Sequence, residues 1–99
     1  MNDSVFEGVC QALLALDIPS LERSRIKLDS LLVDDLGLDS LKFVDLTVRL
    51  EEAFDLAEFP MQQWVDDELE ADRQLSVGRL VSACRELIAK RSTPTARAL

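Results

Sequence analysis

Two serines sit in identical surroundings. The tetrapeptide Leu-Asp-Ser-Leu occurs at residues 28–31 and again at 38–41, which makes Ser30 and Ser40 the candidates for hydroxyl chemistry. A serine nucleophile needs a base, and the chain contains neither histidine nor tyrosine. Lys42 and Lys27 are the available amines, but a solvated lysine with a pKa of about 10.4 is no base at neutral pH. Ser-Lys hydrolysis is thereby disfavoured, and no catalytic residue is assigned. Cys10 and Cys84 fall within apolar-periodic segments and read as buried free thiols. Asp34, Asp35 and Asp39 lack the alternating ligands and central glycine of a calcium loop, so they read as a solvated acidic patch and no metal is assigned.

The two serines differ in their downstream neighbours. After Ser30, Gly37 arrives before more than two helical turns can form. Ser40 instead opens "LKFVDLTVRLEEAFD", a run without Gly or Pro that predicts a helix over about 41–54. Its hydroxyl then stands at a helix N-terminus, where unpaired N–H groups point outward and an exposed phosphate gains roughly 0.3–1 kcal/mol. A plain helix cap, worth about 1 kcal/mol, is the competing role for Asp39 and Ser40. The helix itself adds a second signal. Phe43, Leu46, Leu50 and Phe54 form a core stripe, while Leu41, Val44 and Val48 lie opposite, with Asp45, Glu51 and Glu52. Three outward aliphatics flanked by acids form a docking strip for a basic, partly apolar protein surface.

The remaining elements position that helix. Ser4 with Glu7 has capping-box spacing, and Phe6, Val9, Cys10, Leu13 and Leu16 predict a first helix over about 4–16. Residues 17–39 predict a long connection with one short helical turn, anchored by Ile18, Ile26, Leu32 and Leu36. "FPMQQWVDDE" predicts a short third helix with Pro60 in its first turn and Trp64 as core anchor. Ser76 caps a final helix with the stripe Val77, Leu80, Val81, Cys84, Leu87 and Ile88, interrupted only by Gly78. The expected fold is all-α, a four-helix bundle forming one domain over 1–91, followed by a disordered tail over 92–99.

Nineteen acidic residues against eleven basic ones, a net charge of −8, argue against nucleic acid or anionic membranes as partners. No apolar run reaches a membrane span, and the N-terminus lacks a signal-peptide pattern, so the expectation is a cytoplasmic monomer.

"DDLGLDSLKFVDLTVRLEEAFD", residues 34–55, resembles the signature of the acyl carrier protein family, and helix order extends the resemblance over about 4–90. The resemblance implies that Ser40 is the attachment site of 4'-phosphopantetheine, derived from CoA, with Asp39 and Leu41 as its motif neighbours. It implies that Leu41, Val44, Asp45, Val48, Glu51 and Glu52 meet partner enzymes. Those partners would be a phosphopantetheinyl transferase and acyl-loading and acyl-processing enzymes with basic docking surfaces. The chain would carry acyl groups as thioesters, in fatty acid or polyketide biosynthesis, and catalyse nothing itself. The resemblance also implies that such bundles shelter part of a cargo between helices or swing it out to partners. A pocket between the second and third helices would have Leu46, Phe59 and Trp64 as candidate walls, and core packing alone explains those residues equally well. Two departures, Lys42 at an often acidic position and a long acidic stretch over 58–76, imply a specialised discrete carrier. A peptidyl or aminoacyl carrier and an unmodified acidic adaptor are the alternatives.

Overall fold

The computed structural model describes residues 4–19 and 21–91, so the expected 92–99 tail lies outside the described residues. Four α-helices run in the order α1 (Ser4–Leu14), α2 (Ser40–Phe54), α3 (Met61–Glu70) and α4 (Val77–Arg91), with one 3₁₀ turn at Arg23–Arg25. The described residues hold one isolated bridge, between Leu31 and Ser76, and no strand. The all-α bundle read from the sequence is the fold observed.

Helix α1 packs on both α2 and α4, and α3 lies against α2. Each long helix buries the stripe that its period marked out. Val9, Cys10 and Leu13 come from α1, Leu46 and Leu50 from α2, and Val77, Leu80, Val81 and Cys84 from α4. Phe6, Phe43, Phe54 and Leu87 close the margins of this core, half-buried. Because α1 includes Ser4 itself, its cap position lies outside the described residues.

The connection between α1 and α2 is held from both sides. Ile26, Leu32, Leu36 and Leu38 are buried in the common core, and Ile18 is half-buried against it. Leu38 was not among the expected anchors. On the α4 side, Leu32 N donates to Leu75 O at 2.8 Å, Val77 N to Ser30 O at 2.9 Å and Gly78 N to Leu28 O at 2.8 Å. Ser76 Oγ accepts from Arg79 N at 3.2 Å, so the first three N–H groups of α4 all find acceptors. A Cβ on Gly78 would stand 3.0 Å from Leu28 O, which explains a glycine in the first turn of an otherwise regular helix. Arg23 fastens the 3₁₀ turn to α1, 2.7 Å from Glu7 and 5.0 Å over the Phe6 ring.

One boundary differs from expectation. Pro60 stands at the N-cap of α3 rather than within its first turn. Its carbonyl accepts the helix's opening bond from Trp64 N at 2.9 Å, so the chain turns helical only at Met61. The far end of α3 holds a group that the sequence did not single out. Glu68, 3% exposed, accepts from Arg73 Nε and Nη2 at 3.2 and 3.0 Å and from Arg79 Nε and Nη2 at 2.8 and 3.1 Å. Two guanidinium forks thus tie α3 to the following turn and to α4, and they lower the Glu68 pKa from the usual 4.5 to about 2.

Candidate functional site

The approach to Ser40 is shaped residue by residue. Gly37 takes φ +81°, a backbone conformation in which a side chain would be strained, and its N–H donates to Val33 O at 3.1 Å. Leu38 then drops into the core while its N–H bonds Leu32 O at 3.0 Å. Asp39 is extended and caps α2, its Oδ1 accepting from Lys42 N at 2.9 Å and its carbonyl from Phe43 N at 2.9 Å. With a buried Leu38 behind it and the cap made by Asp39, Ser40 becomes the first helical residue and faces outward, exposed. Among the described residues no hydrogen bond engages its hydroxyl, and the N–H groups of Ser40 and Leu41 have no acceptor.

Ser30 is the opposite case. It is buried, its Oγ donates to Arg25 O at 2.9 Å and accepts from Lys27 N at 3.0 Å, and its carbonyl serves α4. The two copies of one tetrapeptide therefore do different work, one closing a turn and one presenting a hydroxyl.

Along α2, Leu41, Val44 and Val48 are 77%, 65% and 47% exposed, so the aliphatic row does face solvent. Asp45 lies 3.5 Å from Arg49, and Glu52 is exposed. Glu51 is placed differently from its neighbour, with its Oε2 turned to accept from Phe59 N at 2.9 Å. Lys42 leaves the strip altogether. Its Nζ donates to Asp17 O at 2.9 Å, joining the start of α2 to the connection just after α1.

A cleft of about 350 Å³ opens between α2 and α3 beside Ser40. Its walls are Phe43, Val44, Thr47, Met61 and Val65, with Gln62 at the rim. Leu46, Phe59 and Trp64, implicated as walls from the sequence, do not line it. Leu46 and Trp64 point into the core, and Phe59 borders only a neighbouring, more open groove. The polar side chains of the cleft are committed locally, Thr47 Oγ1 to Phe43 O at 2.9 Å and Gln62 Nε2 to Asp66 Oδ1 at 3.0 Å. The lining is mostly apolar, with Ser40, Thr47 and Gln62 as its polar members.

Neither cysteine competes as a reactive group. Both are buried and free, and burial raises the pKa of each, that of Cys84 to about 12. No group of three or more Cys, Asp or Glu able to hold a metal occurs among the described residues. The same residues include no helix long and apolar enough to cross a membrane.

Comparison with known proteins bears on this exposed serine. The family model described as "Phosphopantetheine attachment site" matches residues 10–63, more than half of the chain and all of α2. An acyl carrier protein of Clostridium acetobutylicum is 41% identical over 78 residues, covering 79% of this chain and 88% of the relative. The chain belongs to the acyl carrier protein family. Acyl carrier protein AcpXL of Brucella melitensis is 31% identical over 64 residues, covering 65% of this chain and 66% of that protein. The acyl carrier protein of Prochlorococcus marinus is 39% identical over 55 residues, 56% of this chain and 66% of the relative. Membership makes this acyl carrier a carrier protein rather than an enzyme, with 4'-phosphopantetheine as its covalent prosthetic group. The missing histidine fits that role, since a carried group needs an attachment point and no base.

Proposed function

We propose that Ser40 is the attachment site and that the domain over 1–91 shuttles acyl groups between partner enzymes as a cytoplasmic monomer. The observation that carries this reading is the exposed, uncommitted hydroxyl at the first residue of α2, inside the segment matched by the family model. A phosphodiester fits there. The N–H groups of Ser40 and Leu41 are free to meet its oxygens, and the positive end of α2 favours its charge. The bound group supplies a terminal thiol that holds an acyl chain as a thioester. Asp39 fixes the start of α2 at the serine through the cap, and Leu41 stands exposed next to it. Phe43, Met61 and Val65 offer an apolar wall against which the first part of a cargo is shielded from water. This mostly apolar lining favours an acyl chain of the fatty acid or polyketide kind over a charged aminoacyl group, which would lose hydration with no carboxylate among the lining residues to pair it.

Treating the unmodified chain with CoA, Mg²⁺ and a broad-specificity phosphopantetheinyl transferase tests the assignment. Intact mass is expected to rise by one phosphopantetheine, and fragmentation is expected to locate it at Ser40. A gain located elsewhere, or none, ends the proposal.

Docking uses the outward face of α2. Leu41, Val44 and Val48 supply contact area, while Asp45 and Glu52 steer a basic partner during encounter. Reversing both charges, Asp45→Lys with Glu52→Lys, is expected to slow association with the transferase by about tenfold at low salt. The difference shrinks as ionic strength rises, because screening weakens steering between exposed charges. Stopped-flow association at two salt concentrations reads both effects, and a salt-independent loss would indicate a damaged contact instead.

A further inference from the structure

Glu51 sits among the docking acids, yet its bonds run inward. Its Oε2 accepts from Phe59 N, and its backbone carbonyl accepts from Asp55 N and, at 2.9 Å, from Leu56 N. Three N–H groups of the 55–60 segment therefore end on one residue. That segment leads directly into α3, which contributes Met61, Gln62 and Val65 to the cleft beside Ser40. The opposite end of α3 is pinned by Glu68, shielded from solvent and held by two arginines. Helix α3 is thus fixed at its C-terminal end by a buried carboxylate and at its N-terminal end by one on the docking helix that is only half-buried.

We propose that Glu51 is a latch coupling partner docking to opening of the α2–α3 cleft. The inference rests on the carrier reading for the identity of its partner, a protein with a basic surface. A guanidinium or ammonium docked on α2 competes for Glu51 Oε2, and a charge-assisted bond there outweighs one from a neutral backbone N–H. Phe59 N then loses its acceptor in a partly buried setting, which is unfavourable unless the segment moves toward water. Movement of residues 55–60 draws the Met61 end of α3 away from Phe43 and Thr47, while the Glu68 end stays in place. Linkage makes the effect reciprocal, so an open cleft also strengthens docking. Glu52, exposed next to Glu51 and bonded to nothing in α3 among the described residues, attracts the same partner without this consequence.

Amide hydrogen exchange and acrylamide quenching of Trp64, the one tryptophan in a chain without tyrosine, read the two ends of α3 in the full chain. Glu51→Ala is expected to raise exchange at Phe59 and Met61 by about ten- to hundredfold and to increase Trp64 quenching, with Leu80 and Cys84 amides unchanged. Glu51→Gln keeps an oxygen acceptor and is expected to stay within about threefold of wild type. A broad-specificity phosphopantetheinyl transferase, added to the Ser40→Ala chain so that nothing is transferred, is expected to accelerate Phe59 exchange. The same addition to Ser40→Ala/Glu51→Gln leaves Phe59 slow. The latch is overturned if Glu51→Ala leaves Phe59 protected or loosens α4 equally. It is also overturned if bound transferase leaves Phe59 unchanged, or accelerates it equally in the Gln variant. Transfer to wild-type Ser40, measured in parallel, separates the two failures. Its absence defeats the carrier reading and the docking half of this inference, whereas Glu51→Ala alone decides whether the carboxylate restrains α3.

Discussion

Ser40→Ala is expected to abolish loading by a phosphopantetheinyl transferase while leaving the melting temperature within about 2 °C of wild type. Ser30→Ala is expected to do the reverse. The contrast comes from where the two hydroxyls go. Ser40 Oγ is exposed and bonds to nothing among the described residues, and alanine is well suited to the first helical position. Ser30 Oγ joins Arg25 O to Lys27 N within a buried turn, so its removal leaves two backbone groups short of a partner. A buried loss of that kind costs about 1–3 kcal/mol, or roughly 5–15 °C in a domain of this size. Intact mass and calorimetry on the two variants read both effects. If Ser30→Ala also blocks loading at temperatures where the variant is folded, the division of labour between the serines is wrong.

The second large effect is expected at the far end of α3. Arg79→Met leaves the buried Glu68 carboxylate with Arg73 alone, and stability is expected to fall by about 2–4 kcal/mol, at the lower side of the range for breaking buried ion pairs. Both arginines are more than 40% exposed, which places the loss there rather than higher. The pH dependence has a definite sign. Glu68 binds its proton less readily in the folded state, with a pKa of about 2 against the usual 4.5, so its contribution is complete above pH 4.5. It disappears as pH falls through about 2. Urea unfolding across this window is expected to show a steeper loss in wild type than in Glu68→Gln, which cannot titrate. Equal slopes would mean that the two arginines do not hold the folded carboxylate ionised.

The parts of the molecule that were legible in the sequence are those fixed by periodicity and local chemistry. Leu46 and Leu50 fall on the buried side of α2 and Leu41, Val44 and Val48 on the other because one helix period decides both. Ser76 caps α4 because a hydroxyl before an apolar run has one good use. Parts that depend on how distant segments return were not legible. Glu51 looked like Glu52 because both lie on the same side of one helix, yet the path of residues 55–60 brings Phe59 N to only one of them. That path includes Asp55 in a left-handed conformation, which its residue type permits but does not require. Glu68 was one acid among several in "DDELEADR", and nothing local distinguishes the one that meets Arg73 and Arg79. The cleft walls were misjudged for the same reason. Leu46 and Trp64 are large and apolar, as a wall should be, but the approach of α3 to α2 turns them into the interior and leaves Phe43, Met61 and Val65 at the opening.

The stitching of residues 28–32 to the start of α4 gives the connection that leads to Ser40 a particular birth order. Leu28 and Gly78 are fifty positions apart, so their bond, with those of Ser30 to Val77 and Leu32 to Leu75, waits on a long loop closure. Until then the stretch that ends at Asp39 is held by its local turns and lacks the three backbone bonds that tie it to residues 75–78. A nascent chain still missing its last helix consequently holds residues 28–32 on one side only, and this connection gains its full set of backbone bonds only once α4 has been synthesised.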